Sequence, residues 1–528
     1  VVLILRTSAD LPAAGEFDYW TCVSRRRPVA LPEASGVADL GYLLEEMFLS
    51  EQKTWWSLGK DLATEPTAGF AHMPSCAGNV SDFGYMLAWT RVAESWAASE
   101  RRVCLICDDP WLFRHLSNRP GVESGRAPGL WFRETNLTLR GVLSRFKVSL
   151  SMLAAWILLP RLRQRHTPTI IAYCHPSSTA EGFDGYFGKL LSHMPGMTRV
   201  LHVDCSVSRI KTLGAQRKGA GLSAFGNPFA ALTLIAAKWR PTDVQKKNWL
   251  VRRAAALEGG TGSAAMIKWQ TICQKGWLRS CRPAVVAWPW ENHSWERELV
   301  REARRQGIRT VGYQHSVVGG AMLNYAQHSN PDDGESIPDW IISTGDLWAQ
   351  QLSKWGIPDS QIRIGGTWRA QQEQIPLYDP SASMLVVLPF NEGIGKEMIA
   401  AVKTAAGRIE DFSFLIKQHP MNPLHFQEEL NCVVTEKPFD RHERLSGVIF
   451  AASTVGIESY LAGIPTVRFL PGNSVAPSLA EGLSIPVASS ETLCHSLQNL
   501  LVPPPLSRDG VFAQVDHAVW QAALGSEE

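Results

Sequence analysis

The sequence predicts an α/β protein of two Rossmann-like, doubly wound domains facing a central cleft. Three observations lead there. The length of 528 residues allows about two to four domains at roughly 150 residues each, and 45% hydrophobic content is ample for their cores. From about residue 284 short apolar runs alternate with amphipathic stretches of helical period, the pattern of parallel sheets covered by helices. One polar, turn-rich stretch without a period of its own, 367–383, interrupts that alternation as a linker would.

The elements follow in order. The opening VVLILRTSAD lacks the basic region and small-residue cleavage site of a signal peptide and reads as a first strand. Residues 20–80 are rich in turns and tryptophan and give no assignment. RRVCLIC, TIIAYC and TRVLHVD are strands with helices between them. AVVAWPW (284–290) is a buried strand, SWERELVREARRQG an amphipathic helix closed by Gly307, and IRTVGYQ the returning strand, which together make a βαβ unit. PDWIIST, the helical DLWAQQLSKWG and the short strand QIRIGG complete a first domain with insertions over 1–370. The linker is 371–383. A second domain over 384–505 runs through MLVVLPF, a helix at 394–408, FSFLIKQ, the helical PLHFQEEL, NCVVT, GVIFA, a helix opening at Ser453, and IPTVRFL. Residues 506–528 hold a final helix expected to pack back on the first domain.

Composition removes several classes. With 52 Lys+Arg against 50 Asp+Glu the charge is 52 − 50 = +2, which argues against a nucleic-acid partner. Ten cysteines show no disulfide framework, and Cys104 and Cys107 form a lone C-x-x-C on a buried strand, so a reduced cytoplasmic setting is expected. The sequons at Asn79 and Asn136 are then accidental. The longest apolar run, 148–160, is too short to span a bilayer. The stretch 139–165, an apolar middle between basic ends, reads as a buried helix in preference to one lying on an anionic membrane surface. No G-x-G-x-x-G follows a strand and no P-loop occurs, although Gly393 and Gly395 in NEGIGKE suit a loop over a nucleotide. Asp108–Asp109 and Asp332–Asp333 read as solvated turns, and no histidine pair has zinc spacing, so no metal is expected.

Three segments could carry chemistry. KQHP (417–420) and AASTVGIESYLAGIPTV (451–467) both follow strands, at the carboxyl ends where doubly wound sheets bind ligands. There Ser453 and Thr454 can cap a helix and donate to phosphate, Gly456 lets a phosphate approach, and Glu458 lies one turn in, able to accept from ribose hydroxyls. Lys417 and His419 add charge, with Pro420 closing the turn. In the second segment Glu291 and His293 fall just past one strand and His315 just past the next, a carboxylate and imidazoles suited to general-base or nucleophilic work. The third, 172–190, carries His175, Glu181 and Asp184, where Asp184 is either a second candidate nucleophile or a helix cap.

The K-x-H-P and S-T-x-G-x-E-S-x-x-x-G-x-P elements resemble those of GT-B glycosyltransferases of bacterial surface polysaccharide assembly, closest to transferases that use CMP-activated 3-deoxy-ulosonic sugars such as Kdo and sialic acids. W-P-W-E-N-x-x-W-E and G-Y-Q-H-S are similar to segments of surface carbohydrate biosynthesis proteins. The resemblance spans about 170–500. It implies a CMP-sugar donor site at Lys417, His419, Pro420, Ser453, Thr454, Gly456 and Glu458. It also implies a base or nucleophile among Glu291, His315 and Asp184, and a glycan or lipid-linked glycan acceptor at the inner face of the plasma membrane. The rival readings are a GT-B nucleotide-sugar 2-epimerase and a non-catalytic scaffold of a polysaccharide assembly complex.

Overall fold

Strands that are apolar at nearly every position must be covered on both faces, and the described residues form three parallel sheets of three or more strands built mainly of such segments. The computed structural model describes residues 3–13, 15–23, 36–37, 39–75, 81–161, 164–214, 220–368, 375–409, 412–429, 431–472, 475–476, 482–504 and 506–525. The first sheet joins β1 (Leu3–Arg6), β2 (Tyr19–Cys22), β3 (Val103–Ile106) and β4 (Val122–Ser124) in the order β2-β3-β1-β4. The second contains β5 (Thr169–Ala172), β6 (Thr198–Leu201), β7 (Ala220–Gly221), β8 (Val285–Pro289), β9 (Arg309–Gln314), β10 (Trp340–Ser343) and β11 (Ile362–Ile364). Its order is β11-β10-β9-β8-β5-β6-β7. After β12 (Leu377–Tyr378) the third sheet begins, with β13 (Met384–Val387), β14 (Phe414–Lys417) and β15 (Cys432–Thr435). Following β16 (Arg444–Leu445), which pairs with β12, come β17 (Gly447–Phe450), β18 (Thr466–Phe469) and β19 (Val487–Ala488), in the order β15-β14-β13-β17-β18-β19.

The second and third sheets are the two Rossmann-like, doubly wound units of the α/β architecture expected from the sequence. In each the strand order runs outward in both directions from a central pair, β5 with β8 and β13 with β17.

Several local expectations are corrected. Residues 1–370 hold two sheets, because β1 pairs with β3 across the tryptophan-rich helices rather than extending the second sheet. Those tryptophans pack sideways. Trp55 meets Phe48 and Phe83, while Trp56 Nε1 donates to Leu323 O at 2.9 Å and its ring meets Trp355, so this region is a joint between layers. The linker falls partly outside the described residues, and its described part carries β12.

PLHFQEEL is not a helix. Gln418 Nε2 donates to Leu424 O and Lys403 Nζ to Gln427 O, so side chains take carbonyls that a helical ladder would use. Gly393 and Gly395 lie inside helix Glu392–Ala406, capped by Asn391, and form no loop over a ligand. Asp109 is not solvated. It caps helix Pro110–Ser117 and pairs at 2.6 Å with the buried Arg253, which also holds Asp82. Burial pushes the Cys104 thiol up to about 12, which makes it an unreactive core residue.

Helix Leu130–Leu158 is not the buried helix expected of 139–165. Its buried residues are Gly141, Arg145, Ser149, Met152 and Ala155, while Phe132, Leu139, Leu143, Phe146, Leu150 and Ile157 face outward. By length and composition it could cross a membrane, contrary to the run-length argument.

The chain leaves the third sheet and returns to the second. Ala513 N donates to Thr344 O, and helix His517–Leu524 buries Trp520 against Tyr313 and Ile342, its Nε1 donating to Gly365 O at 2.8 Å. The third sheet is also tied to the first layer. Arg468 on β18 reaches Glu45 of helix Leu40–Ser50 at 2.9 Å, with 8% and 12% of the two side chains exposed.

A buried charge left without its partner is costly. Glu45→Ala should therefore lower stability by about 3 kcal/mol, whereas replacing both residues by Leu and Met should restore most of it in denaturant melts. Equal loss in the single and double variants would show that the pair does not join the layers.

Candidate active site

The turn after β8 is built around a buried carboxylate. Glu296 is the third residue of helix Ser294–Arg305 and reaches back, as an acidic residue at that position does, to the amides preceding the helix. Its Oε2 accepts from Trp288 Nε1 at 2.9 Å and from the N–H groups of Glu291 and Asn292, each at 3.0 Å. Burial pushes its pKa up to about 7, against the opposing pull of the His293 charge and of these donors.

Asn292 adopts a left-handed conformation (φ 57°), which asparagine tolerates better than most residues. Its amide donates to Asn324 O at 2.8 Å and to Asn330 Oδ1 at 3.0 Å, and its Oδ1 accepts from Arg297 Nε. Asn324 Nδ2 donates in turn to Glu291 O at 2.6 Å.

This frame presents Glu291. Its carboxylate accepts from His293 Nε2 at 2.8 Å on one oxygen and lies 3.6 Å from His315 Nε2 on the other. Both imidazoles are buried, while the Glu291 side chain keeps 21% of its surface exposed, so the carboxylate is the member open to a substrate. Burial alone would depress the His293 pKa, but the hydrogen bond and charge of Glu291 raise it.

Aromatic residues wall the group. Tyr186 sets its ring edge against His315 at 4.9 Å and also meets Tyr173, which packs on His202 and Trp295. Glu291, Tyr173 and His202 follow β8, β5 and β6, so the cluster sits where the strand order of the second sheet reverses. That is where open α/β sheets bind ligands.

Asp184 is corrected as a candidate nucleophile. It is fully buried, accepts from the amides of Tyr186 and Phe187, and pairs with Arg199 at 3.5 Å, so it shapes the turn. His175 stands against Tyr186 and bonds Ser177, and Glu181 bonds Thr179 on the exposed side of the loop.

On the third sheet the expected residues separate into two groups. His419 follows β14, its ring edge-on to Phe390 at 5.4 Å, and its Nδ1 accepts from Met421 N at 3.2 Å, which leaves the ring proton on Nε2. Ser453 caps helix Thr454–Leu461 by accepting from Val455 N, with Thr454 at the first helical position. Ser453 follows β17, one of the two central strands, and His419 lies one strand beyond β13, so both border the reversal point of this sheet. Pro420 is exposed beside His419.

The other three are placed otherwise. Lys417 donates to Glu436 O at 2.7 Å and lies 3.6 Å from the Glu436 carboxylate, so its charge is directed to β15 and away from His419. A Cβ on Gly456 would meet the Phe450 ring at 2.2 Å, so this glycine lets the helix pack on β17. Glu458 acts on Arg508 of the returning segment, opposing the lowering of that guanidinium by burial.

Sequence reasoning missed Glu296, Asn324, Asn330, Tyr173, Tyr186 and His202. Glu296 had a signal, a glutamate three residues after the helix-capping position, and so did Tyr173 and His202, which directly follow strands read from the sequence.

No protein-family model and no curated protein matches this chain. Solved structures that resemble it include the calicheamicin glycosyltransferase CalG4 (12% identity, covering 64% of this chain and 90% of that one, TM-score 0.38). The glycotransferase of kitacinnamycin gives 13%, 64% and 91%, with a TM-score of 0.37. UDP-GlcNAc 2-epimerase from Neisseria meningitidis bound to UDP-GlcNAc gives 12%, 63% and 90%, with a TM-score of 0.37. At these values the likeness carries no argument.

Glu296→Ala removes the acceptor of three buried donors and should cost about 3 kcal/mol or more, whereas Glu296→Gln retains an acceptor and should keep the fold. The native carboxyl has its pKa raised from 4.5 to about 7. Its contribution to stability is therefore full below the lower value and lost as pH rises through the higher one. Denaturation at a series of pH values should show the parent losing stability relative to Glu296→Gln across that window, and parallel curves would contradict this placement.

Proposed function

We propose that the protein is a glycosyltransferase that moves a sugar from a nucleotide donor on the third sheet to a hydroxyl of a glycan acceptor on the second. The observation that carries the reading is Glu291, an accessible carboxylate fixed between two buried imidazoles at the strand-order reversal.

In this reaction the acceptor oxygen attacks the anomeric carbon as its proton passes to Glu291. The bond from that carbon to the donor phosphate breaks, and its electron pair leaves with the nucleotide. His293 holds the carboxylate in orientation through Oε2. His419 Nε2–H and the N-terminal end of helix Thr454–Leu461 stabilise the departing phosphate by a fixed donor and dipole. The reading uses no metal and no cofactor beyond the donor.

The K-x-H-P resemblance supports a CMP-linked 3-deoxy-ulosonic sugar, Kdo or sialic-acid-like, as the donor. The acceptor in this reading is a growing bacterial surface glycan, carried on lipid at the cytoplasmic face of the inner membrane, where nucleotide sugars are made.

Thermal-shift titration with CMP, CDP, UDP, GDP and ADP tests the donor side, because a ligand bound only by the folded state raises the midpoint. CMP should raise it in the parent and raise it less in His419→Ala. A preference for UDP or GDP would discard the ulosonic donor, and no shift with any nucleotide would refute the transferase.

A further inference from the structure

We propose that the outward face of helix Leu130–Leu158 docks on an anionic lipid bilayer. Phe132, Leu139, Leu143, Phe146, Leu150 and Ile157 follow one another at spacings of 7, 4, 3, 4 and 7 residues, which places them on a single stripe. Each is between 46% and 72% exposed, far more apolar surface than one solvent-facing helix of a soluble fold ordinarily carries. On the adjoining helix Pro228–Leu232, Phe229 is 78% exposed.

The opposite face is bonded to the protein. Ser149 Oγ donates to Ala231 O at 2.6 Å, Arg145 Nε to Ile235 O at 2.8 Å, and Arg145 also to Gly260 O. Crossing a bilayer would break these bonds and bring a guanidinium into hydrocarbon, so the helix lies in the plane of the interface.

Charge selects the occupant. Arg133, Arg140 and Lys147 stand exposed at seven-residue spacing along one edge of the stripe. The one carboxylate of the helix, Glu134, is taken by Arg252 at 2.9 and 3.0 Å. A second copy of the chain could match the apolar spacing, but pairing helix to helix would bring cations together with no other carboxylate on the helix to answer them. An anionic headgroup layer answers both the cations and the apolar stripe, with Trp131 at one end of the helix as an interfacial residue. The inference stands independently of the reaction proposed above.

Sedimentation of the full chain with phosphatidylcholine vesicles, with and without phosphatidylglycerol, tests it. The parent should bind the anionic vesicles and much less the neutral ones. L143D/L150D should weaken that binding by about tenfold or more, and R140E/K147E by about fivefold for each reversed charge. All the substituted residues are exposed, so both variants should melt as the parent does. Failure of the parent to bind anionic vesicles, or equal binding by L143D/L150D, would overturn the proposal. So would a parent dimer that L143D/L150D converts to monomer, which would assign the stripe to a second copy.

Discussion

A carboxylate removed from water must be answered by donors or it unfolds its surroundings, and Glu296 is answered by three hydrogen bonds to a single oxygen. Two of those donors are backbone amides of the turn that carries Glu291, so the direction in which the β8 strand hands over to its helix is set by this interaction. The left-handed Asn292, the Arg297 guanidinium and the side chains of Asn324 and Asn330 lock the same turn from the other side. The backbone of Glu291 is thereby held by the frame, and its carboxylate meets His293 and His315.

The same economy holds at the larger scale. Each doubly wound sheet offers one place where helices diverge to opposite faces, and the candidate residues that keep a functional role in this account cluster there. Glu291, His293 and His315 border the reversal of the second sheet, and His419, Ser453 and Thr454 that of the third. Residues set aside have structural work: Lys417 binds Glu436, Gly456 accommodates Phe450, and Asp184 closes a turn with Arg199. The Arg468–Glu45 pair and the returning helix His517–Leu524 hold the sheets in relation to one another.

How much of this could be read from sequence follows from how local each cause is. The strands β8 to β11, β13 to β15, β17 and β18 and the helices after β8, β10, β13 and β17 were legible, because burial on both faces imposes unbroken apolar runs and helices show their period. The cap at Ser453 and the stop at Gly307 were legible for the same reason, since each acts on its own neighbours. Residues 20–80 were not. Trp56 bonds a carbonyl 267 residues away, so its placement obeys tertiary packing and leaves no period. PLHFQEEL has helical composition, yet its carbonyls are claimed by Gln418 and Lys403. In the site, Glu291 and His315 could be found because they end strands, while Asn324 and Asn330 arrive from a loop whose path no local signal fixes.

The central claim is that Glu291 takes the acceptor proton. Its most direct test is the single-turnover rate of sugar transfer by the parent and by Glu291→Gln, with donor affinity measured on the same samples. The account predicts a fall of about a hundredfold or more in rate at unchanged donor affinity. An unchanged rate would contradict it.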